Sequence, residues 1–196
     1  TADEKAKSDF TKMNSEVQKI VEDYDFGSVI FFANNIKETE QSFDLTMDLQ
    51  KAATKDNGIP LLITTDQEGG IVYRLGSGTA LPGNMALGAT GDVNNAKIAG
   101  EIIGSELSSL GINTTLAPVV DVNNNANNPV IGLRSYGEDA EMVGKMASAE
   151  IEGLAEYNVI GCAKHFPGHG DTATDSHYGL PMVDKSKEEL LNNELK

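Results

Sequence analysis

From residue 164 to residue 181 the chain reads K-H-F-P-G-H-G-D-T-A-T-D-S-H-Y-G-L-P. All three histidines of the protein fall between His165 and His177. Imidazole, carboxylate and ammonium groups gathered this closely can move protons or hold a metal. Asp175-x-His177 is the sharper element. A carboxylate two residues from an imidazole can take its N–H, fix its tautomer and stabilise its cation, which makes an acid/base dyad. Taken alone, such a pair is more often a turn-capping aspartate beside a solvated histidine. The company of Lys164, His165 and His169 favours catalysis. His165, His169, Asp171, Asp175 and His177 are also acceptable zinc ligands, so the residues by themselves leave a metal site open. The glycines and prolines between them equally suit a mobile loop.

A second group lies upstream. Asp66 heads D-Q-E-G-G, Arg74 follows it, and Arg134 stands in I-G-L-R-S. An aspartate can accept two sugar hydroxyls, and an arginine can donate to hydroxyls or carbonyls through several fixed N–H groups. Either arginine could instead form a structural salt bridge to Asp66, Glu68 or Asp121. Glu68, followed by Gly69 and Gly70, reads as a carboxylate that bonds backbone amides and holds its loop. Asp121 with the asparagines after it reads as a turn-forming cluster.

These groups need a frame. Apolar runs of strand length at 27–33, 60–66, 112–121 and 159–166 alternate with stretches of helical period at 14–24, 38–53, 94–110 and 140–157. The strand runs are continuous rather than alternating, as expected of strands buried on both faces. A further helix starts at Ser186, with Glu189 completing a capping box. Residues 76–90 and 123–134 read as Gly/Asn-rich loops. The β-α alternation builds a parallel sheet with helices outside it, closed either as an open doubly wound sheet or as a (β/α)8 barrel. Asp66, Asp121 and Lys164-His165 each sit where a strand runs out into a loop. Polar groups at several strand ends are how a barrel assembles one site, and no Gly-rich phosphate loop is present, so a TIM-type barrel is favoured. A full barrel needs about 250 residues. This chain has 196 and stops inside a helix, which makes residues 1–196 part of a single barrel.

Composition sets outer bounds. Hydrophobic residues at 39% and charged residues at 23% are the balance of a folded chain. A formal net charge of −15 disfavours nucleic acid and anionic membranes as partners. No apolar run is long enough to span a bilayer. The single cysteine, Cys162, excludes an intrachain disulfide and, in V-I-G-C-A, reads as a buried packing residue.

The long motifs resemble glycoside hydrolase family 3, and within it the β-N-acetylglucosaminidase branch of two-domain Gram-positive enzymes. The segment from Lys164 to Pro181 is similar to the signature of that branch. So are D-Q-E-G-G with Arg74, L-P-G-N-M-A-L-G at 81–88, A-P-V-V-D-V-N at 117–123 and N-P-V-I-G-L-R-S at 128–135. The similarity runs from about Phe10 to the end. It implies a (β/α)8 barrel that removes terminal β-linked N-acetylglucosamine from a small carbohydrate, a muropeptide or chitooligosaccharide, with retention and without metal or cofactor. It implies that His177 is the acid/base and Asp175 its partner. It matches Asp66, Arg74, Arg134, Lys164 and His165 to sugar-binding positions. In such a family the nucleophilic aspartate lies on a later strand, beyond Lys196, and the first strand lies before Thr1. The expectation is therefore that residues 1–196 alone hydrolyse nothing and expose open sheet edges. Two alternatives stand beside this: a non-catalytic sugar-binding domain, and a metal-dependent barrel hydrolase. A bacterial cytoplasm and a cell-wall or extracellular location both remain compatible with the sequence.

Overall fold

The computed structural model describes residues 9–56 and 58–196. Helix α1 (Ser15–Tyr24) starts where the Asn14 side chain accepts the Val17 N–H, satisfying an amide the helix leaves unpaired. Strand β1 (Ser28–Phe31) follows. Helix α2 (Thr39–Ala53) opens on a capping box between Glu38 and Gln41 and buries Leu45, Leu49, Ala52 and Ala53. After β2 (Leu62–Thr65) come a short helix α3 (Asn84–Thr90) and the longer α4 (Val93–Ser109), which Asp92 caps. Strand β3 (Thr114–Thr115) leads to a 3-10 turn (Gly132–Arg134) and to α5 (Ala140–Ala155), capped by Asp139. Strand β4 (Ile160–Gly161) and α6 (Lys187–Asn192) complete the order, and α6 carries the expected Ser186–Glu189 capping box.

The four strands form one parallel sheet in the order β1-β2-β3-β4. That order never reverses. A doubly wound sheet has a switch point where the chain turns back, whereas a barrel adds each strand beside the last. The pattern is singly wound. One row of the register joins Ile30, Thr64, Thr114 and Ile160; the next joins Phe31, Thr65, Thr115 and Gly161.

Helices cover one face of this sheet. Phe31 and Ile63 meet Leu45, Leu49, Ile103, Leu107 and Leu154 there in one continuous core. The opposite face is open among the described residues: Ile30, Phe32, Leu62 and Ile160 are between 43% and 55% exposed. The continuous apolar runs thus do not give strands buried on both faces here. Cys162 is exposed rather than buried for the same reason. It lies two residues beyond Ile160, so the pleat sends it to the open face.

Two other expectations are corrected. Residues 84–90, read as loop, fold as α3 and bury Asn84 and Leu87. The regular strands after β2 are shorter than the apolar runs. Pro118 has no amide for the ladder, and past Thr115 pairing continues only as the bridge between Val119 and Lys164.

Helices α4 and α5 pack with backbones in contact. A Cβ on Gly100 would lie 2.1 Å from the Glu150 carbonyl oxygen, and one on Gly153 would lie 2.2 Å from that of Lys97. This approach buries the Glu150 side chain, whose Oε2 accepts the Tyr136 hydroxyl while Oε1 has no partner. Burial pushes the Glu150 carboxyl up to about 7, against the lowering effect of the Tyr136 hydroxyl. The native carboxyl therefore keeps its proton at pH values where the unfolded one, near 4.3, has lost it. Stability contributed by the neutral group is complete below about pH 4.3 and is lost as pH rises to 7. Glu150→Gln should remove that fall, leaving the variant about 3–4 kcal/mol more stable than wild type at pH 8 and equal to it at pH 4. Denaturant unfolding at the two pH values reads this directly. An unchanged pH slope in the variant counts against the neutral buried carboxyl.

Candidate active site

The strand ends on one side of the sheet deliver the charged side chains. Asp66 and Glu68 follow β2, Asp121 follows β3, and Lys164-His165 follow β4. The regular pairing has ended by Lys164, and the Lys164–His165 peptide is cis. Glu68 sits at the centre. Its Oε1 meets Lys164 Nζ at 2.6 Å and Arg134 Nη2 at 2.8 Å, and its Oε2 accepts Arg134 Nε at 2.8 Å. Lys164 Nζ also donates to Asp66 Oδ1 at 2.7 Å. Arg74 Nη2 stands 3.7 Å from Asp66 Oδ2. The result is one cluster of two carboxylates and three cations. Arg134 is partly buried, which disfavours its charge, but the Glu68 hydrogen bonds and charge outweigh this and hold its pKa above the usual value.

The cluster keeps unused capacity. Arg134 spends Nε and one proton of Nη2 on Glu68, and one proton of Nη1 on the Val130 carbonyl. One N–H on each terminal nitrogen is left, and one on Lys164 Nζ. Asp66 Oδ2 has only the distant Arg74. A polyhydroxylated ligand needs this mixture of donors and an acceptor. Beside Glu68 and Arg134 opens a cleft of about 300 Å³ walled by Ile71, Pro82, Met85 and Leu133.

Under the neighbouring strand end, Asp121 is buried. Its Oδ2 meets His165 Nδ1 at 2.6 Å, and its Oδ1 accepts the His169 backbone N–H at 2.6 Å. A carboxylate only accepts, so His165 gives a proton on Nδ1 to Asp121, and Nε2 is not used in that bond.

The Asp175–His177 pair forms as the spacing suggests. Asp175 Oδ1 accepts both the His177 backbone N–H at 2.9 Å and the ring Nδ1–H at 2.7 Å. Those two bonds, the backbone one first, pull the Asp175 carboxyl below its usual pKa. With Nδ1 engaged, Nε2 is the nitrogen that can give or take a proton. The ring stands out from the loop, with its side chain 75% exposed.

The structure thus joins Asp66, Arg74, Arg134 and Lys164 in one ion cluster and places His165 next along the chain on its own carboxylate. It forms the dyad as a separate unit with no direct bond to that cluster. Of the two arginine readings the structure shows the salt bridge: Arg134 pairs with Glu68 and keeps N–H groups to spare. The sequence reading misplaced two roles. Glu68 binds side-chain cations rather than loop amides, and so is the carboxylate partner that the salt-bridge alternative offered to Arg134. Asp121 holds two histidines rather than capping a turn; its place at a strand end was the available signal. Among the described residues no three His, Cys, Asp or Glu side chains come together as a metal-binding group.

The profile of the glycosyl hydrolase family 3 N-terminal domain matches residues 2–196. The chain belongs to glycosyl hydrolase family 3. The N-terminal domain of this family is a TIM-type barrel, and the sequentially ordered strands are part of one. The family 3 chain is 44% identical over 192 residues to beta-hexosaminidase A of Pseudoalteromonas piscicida, covering 94% of itself and 32% of that protein. A family 3 beta-N-acetylglucosaminidase structure from Paenibacillus sp. str. FPU-7 superposes with a TM-score of 0.91 at 46% identity, over 94% of this chain and 35% of that one. NagZ from Neisseria gonorrhoeae, solved with N-trifluoroacetyl-D-glucosamine, gives 0.88 at 33% identity, over 95% of this chain and 56% of that one. The chain therefore spans between about a third and just over half of the length of these relatives.

Removing the central carboxylate tests the cluster. Glu68→Ala leaves two partly buried cations with one partner fewer, and should destabilise the family 3 chain by about 3–5 kcal/mol. Glu68→Gln, which keeps the shape and an acceptor, should cost less. Equal stability of Glu68→Ala and wild type in denaturant titration would show that Arg134 and Lys164 do not depend on Glu68.

Proposed function

We propose that this chain carries the sugar-binding and acid/base portion of a retaining β-N-acetylhexosaminidase acting on terminal β-linked N-acetylglucosamine, with peptidoglycan fragments as the substrate class. Residues 1–196 would belong to one catalytic barrel. The observation that carries the reading is the Asp175–His177 pair, its ring Nε2 exposed on the loop that leaves the same strand as Lys164 and His165. A binding domain has no use for such a dyad. The names of the relatives support the sugar.

In this reading Asp66 accepts sugar hydroxyls, and Arg74, Arg134, Lys164 and His165 complete the recognition of the ring. His177 Nε2–H protonates the leaving oxygen while a carboxylate attacks the anomeric carbon, and the glycosyl–enzyme bond forms as the glycosidic bond breaks. His177, now neutral, takes a proton from water, which attacks the same carbon and frees the enzyme. The attacking carboxylate is not one of those described at the strand ends. Asp66 is held by Lys164, Glu68 is sealed between Arg134 and Lys164, and Asp121 is buried against His165. The nucleophile is assigned to a part of the relatives' length outside this chain.

The test is release of nitrophenol from nitrophenyl N-acetyl-β-glucosaminide by a protein of the relatives' length, beside residues 1–196 alone. Turnover is expected only from the longer protein. His177→Ala there should lower kcat by about 10²–10⁴-fold. Turnover by residues 1–196 alone would refute the assignment of the nucleophile. Undiminished turnover in His177→Ala would refute the acid/base.

A further inference from the structure

The dyad's own hydrogen bonds fix its shape but not its place. Asp175 Oδ1 takes the His177 ring and backbone N–H groups, and the Asp175 carbonyl takes the amides of Tyr178 and Gly179. All of these lie within the loop. Its side chains Tyr178 and Leu180 stand in solvent at 91% and 82% exposure. Among the described residues, one hydrogen bond ties residues 173–182 to the rest of the chain: Ser176 Oγ to His169 Nε2, at 3.3 Å. Ser176 stands between the two members of the dyad.

His169 is built to be immovable. It is 8% exposed. Its backbone N–H enters the Asp121 carboxylate at 2.6 Å, and its carbonyl accepts Asn128 Nδ2 at 2.7 Å and the Thr172 hydroxyl at 2.9 Å. Its ring lies edge-on to that of His165, with centroids 5.7 Å apart. The next residue seals the position, since a Cβ on Gly170 would fall 1.8 Å from the Val122 carbonyl oxygen.

The bonds are all satisfied by one neutral tautomer. The Thr172 hydroxyl proton goes to the His169 carbonyl, so Thr172 Oγ1 can only accept from the ring Nδ1–H. Nε2 then holds a bare lone pair, and Ser176 must donate to it. A hydroxyl is the group this geometry asks for at position 176.

We propose that His169 and Ser176 are positioning residues that latch the acid/base loop to the sugar-binding frame. The frame end of the latch is Asp121, which also holds His165. One carboxylate therefore registers the dyad against a sugar-binding histidine. The inference rests on the reading of His177 as acid/base.

The experiment uses the protein of the relatives' length with Ser176→Ala, Ser176→Thr and His177→Ala. Ser176 is exposed, so its variants should fold. Two quantities are read: kcat and KM on nitrophenyl N-acetyl-β-glucosaminide, and the rate of chymotrypsin cleavage after Tyr178, followed by mass spectrometry. A released loop is cut faster because cleavage follows the open population. Ser176→Ala should raise the cleavage rate several-fold and lower kcat about tenfold with KM little changed, since the sugar-binding residues are untouched. Ser176→Thr, which keeps the hydroxyl, should restore both. An unchanged cleavage rate in Ser176→Ala overturns the latch, and so does wild-type kcat in Ser176→Ala beside an inactive His177→Ala. Turnover retained by His177→Ala instead sinks the acid/base reading, and cleavage alone then decides the latch.

Discussion

The site hangs on one buried carboxylate. Glu68 takes a bidentate guanidinium from Arg134 and the ammonium of Lys164 at the same oxygen pair, with its side chain 2% exposed. Burying any of these charges alone would be prohibitive; with Asp66, which Lys164 also meets, they sum to zero and are paired. The geometry that results is not a choice of the surface side chains. Lys164 comes from the end of β4 and Arg134 from the turn before α5, and each is brought to a fixed point by a carboxylate just past β2. Three loops are thereby registered against one another. Asp66, two residues ahead, is left between Lys164 and Arg74 with one oxygen still able to accept.

Asp121 does for the next strand end what Glu68 does for the first. It is buried, accepts only, and therefore dictates the orientation of what binds it: the His165 ring through Nδ1 and the His169 amide through Oδ1. Buried carboxylates that orient outer groups are a way to put precision into loops, which have no ladder of their own to hold them. The body of the chain supports this at a distance. Helices α4 and α5 pack without side chains between them at Gly100 and Gly153. That fixes α5, its Glu150 and the Tyr136 bonded to it, close behind the turn that carries Arg134.

The order of elements was legible because periodicity is local: α1, α2, α4 and α5 differ from their sequence spans by at most two residues at either end. The Asp175–His177 pair was legible because both partners lie in one turn. What the sequence hid was longer in range. Glu68 meets its partners across 66 positions in the chain to Arg134, and nothing in D-Q-E-G-G distinguishes a carboxylate bound to amides from one bound to distant cations. Asp121 was placed at a strand end but not beneath two histidines. Helix α3 was masked by the glycines at its two ends, Gly83 and Gly91, and by Gly88 within it, which is required where the Tyr136 carbonyl presses against it. Cys162 was misplaced because an apolar run says that a strand is flanked by apolar surroundings, not which face is covered among the residues present.

With His177 as the proposed acid/base, the arrangement also bears on why an imidazole stands where a carboxylic acid would serve the chemistry. The dyad sits on an exposed loop that follows the strand end carrying Lys164, one of the cations of a cluster that still has free N–H groups. A glutamic acid on that loop would be drawn into Arg74, Arg134 or Lys164. There it would give up its proton well below neutral pH, and it would occupy the donors assigned to the sugar in the proposed function. An imidazolium is repelled by those cations, and a neutral imidazole brings no charge to pair with them. Its own partner, Asp175, travels with it on the same turn and is already satisfied by two N–H groups of His177. On the proposed reading the loop approaches a cationic site, and a self-contained histidine–aspartate unit lets it do so without collapsing onto that site. A latch through a neutral hydroxyl, rather than through a charge, follows the same logic.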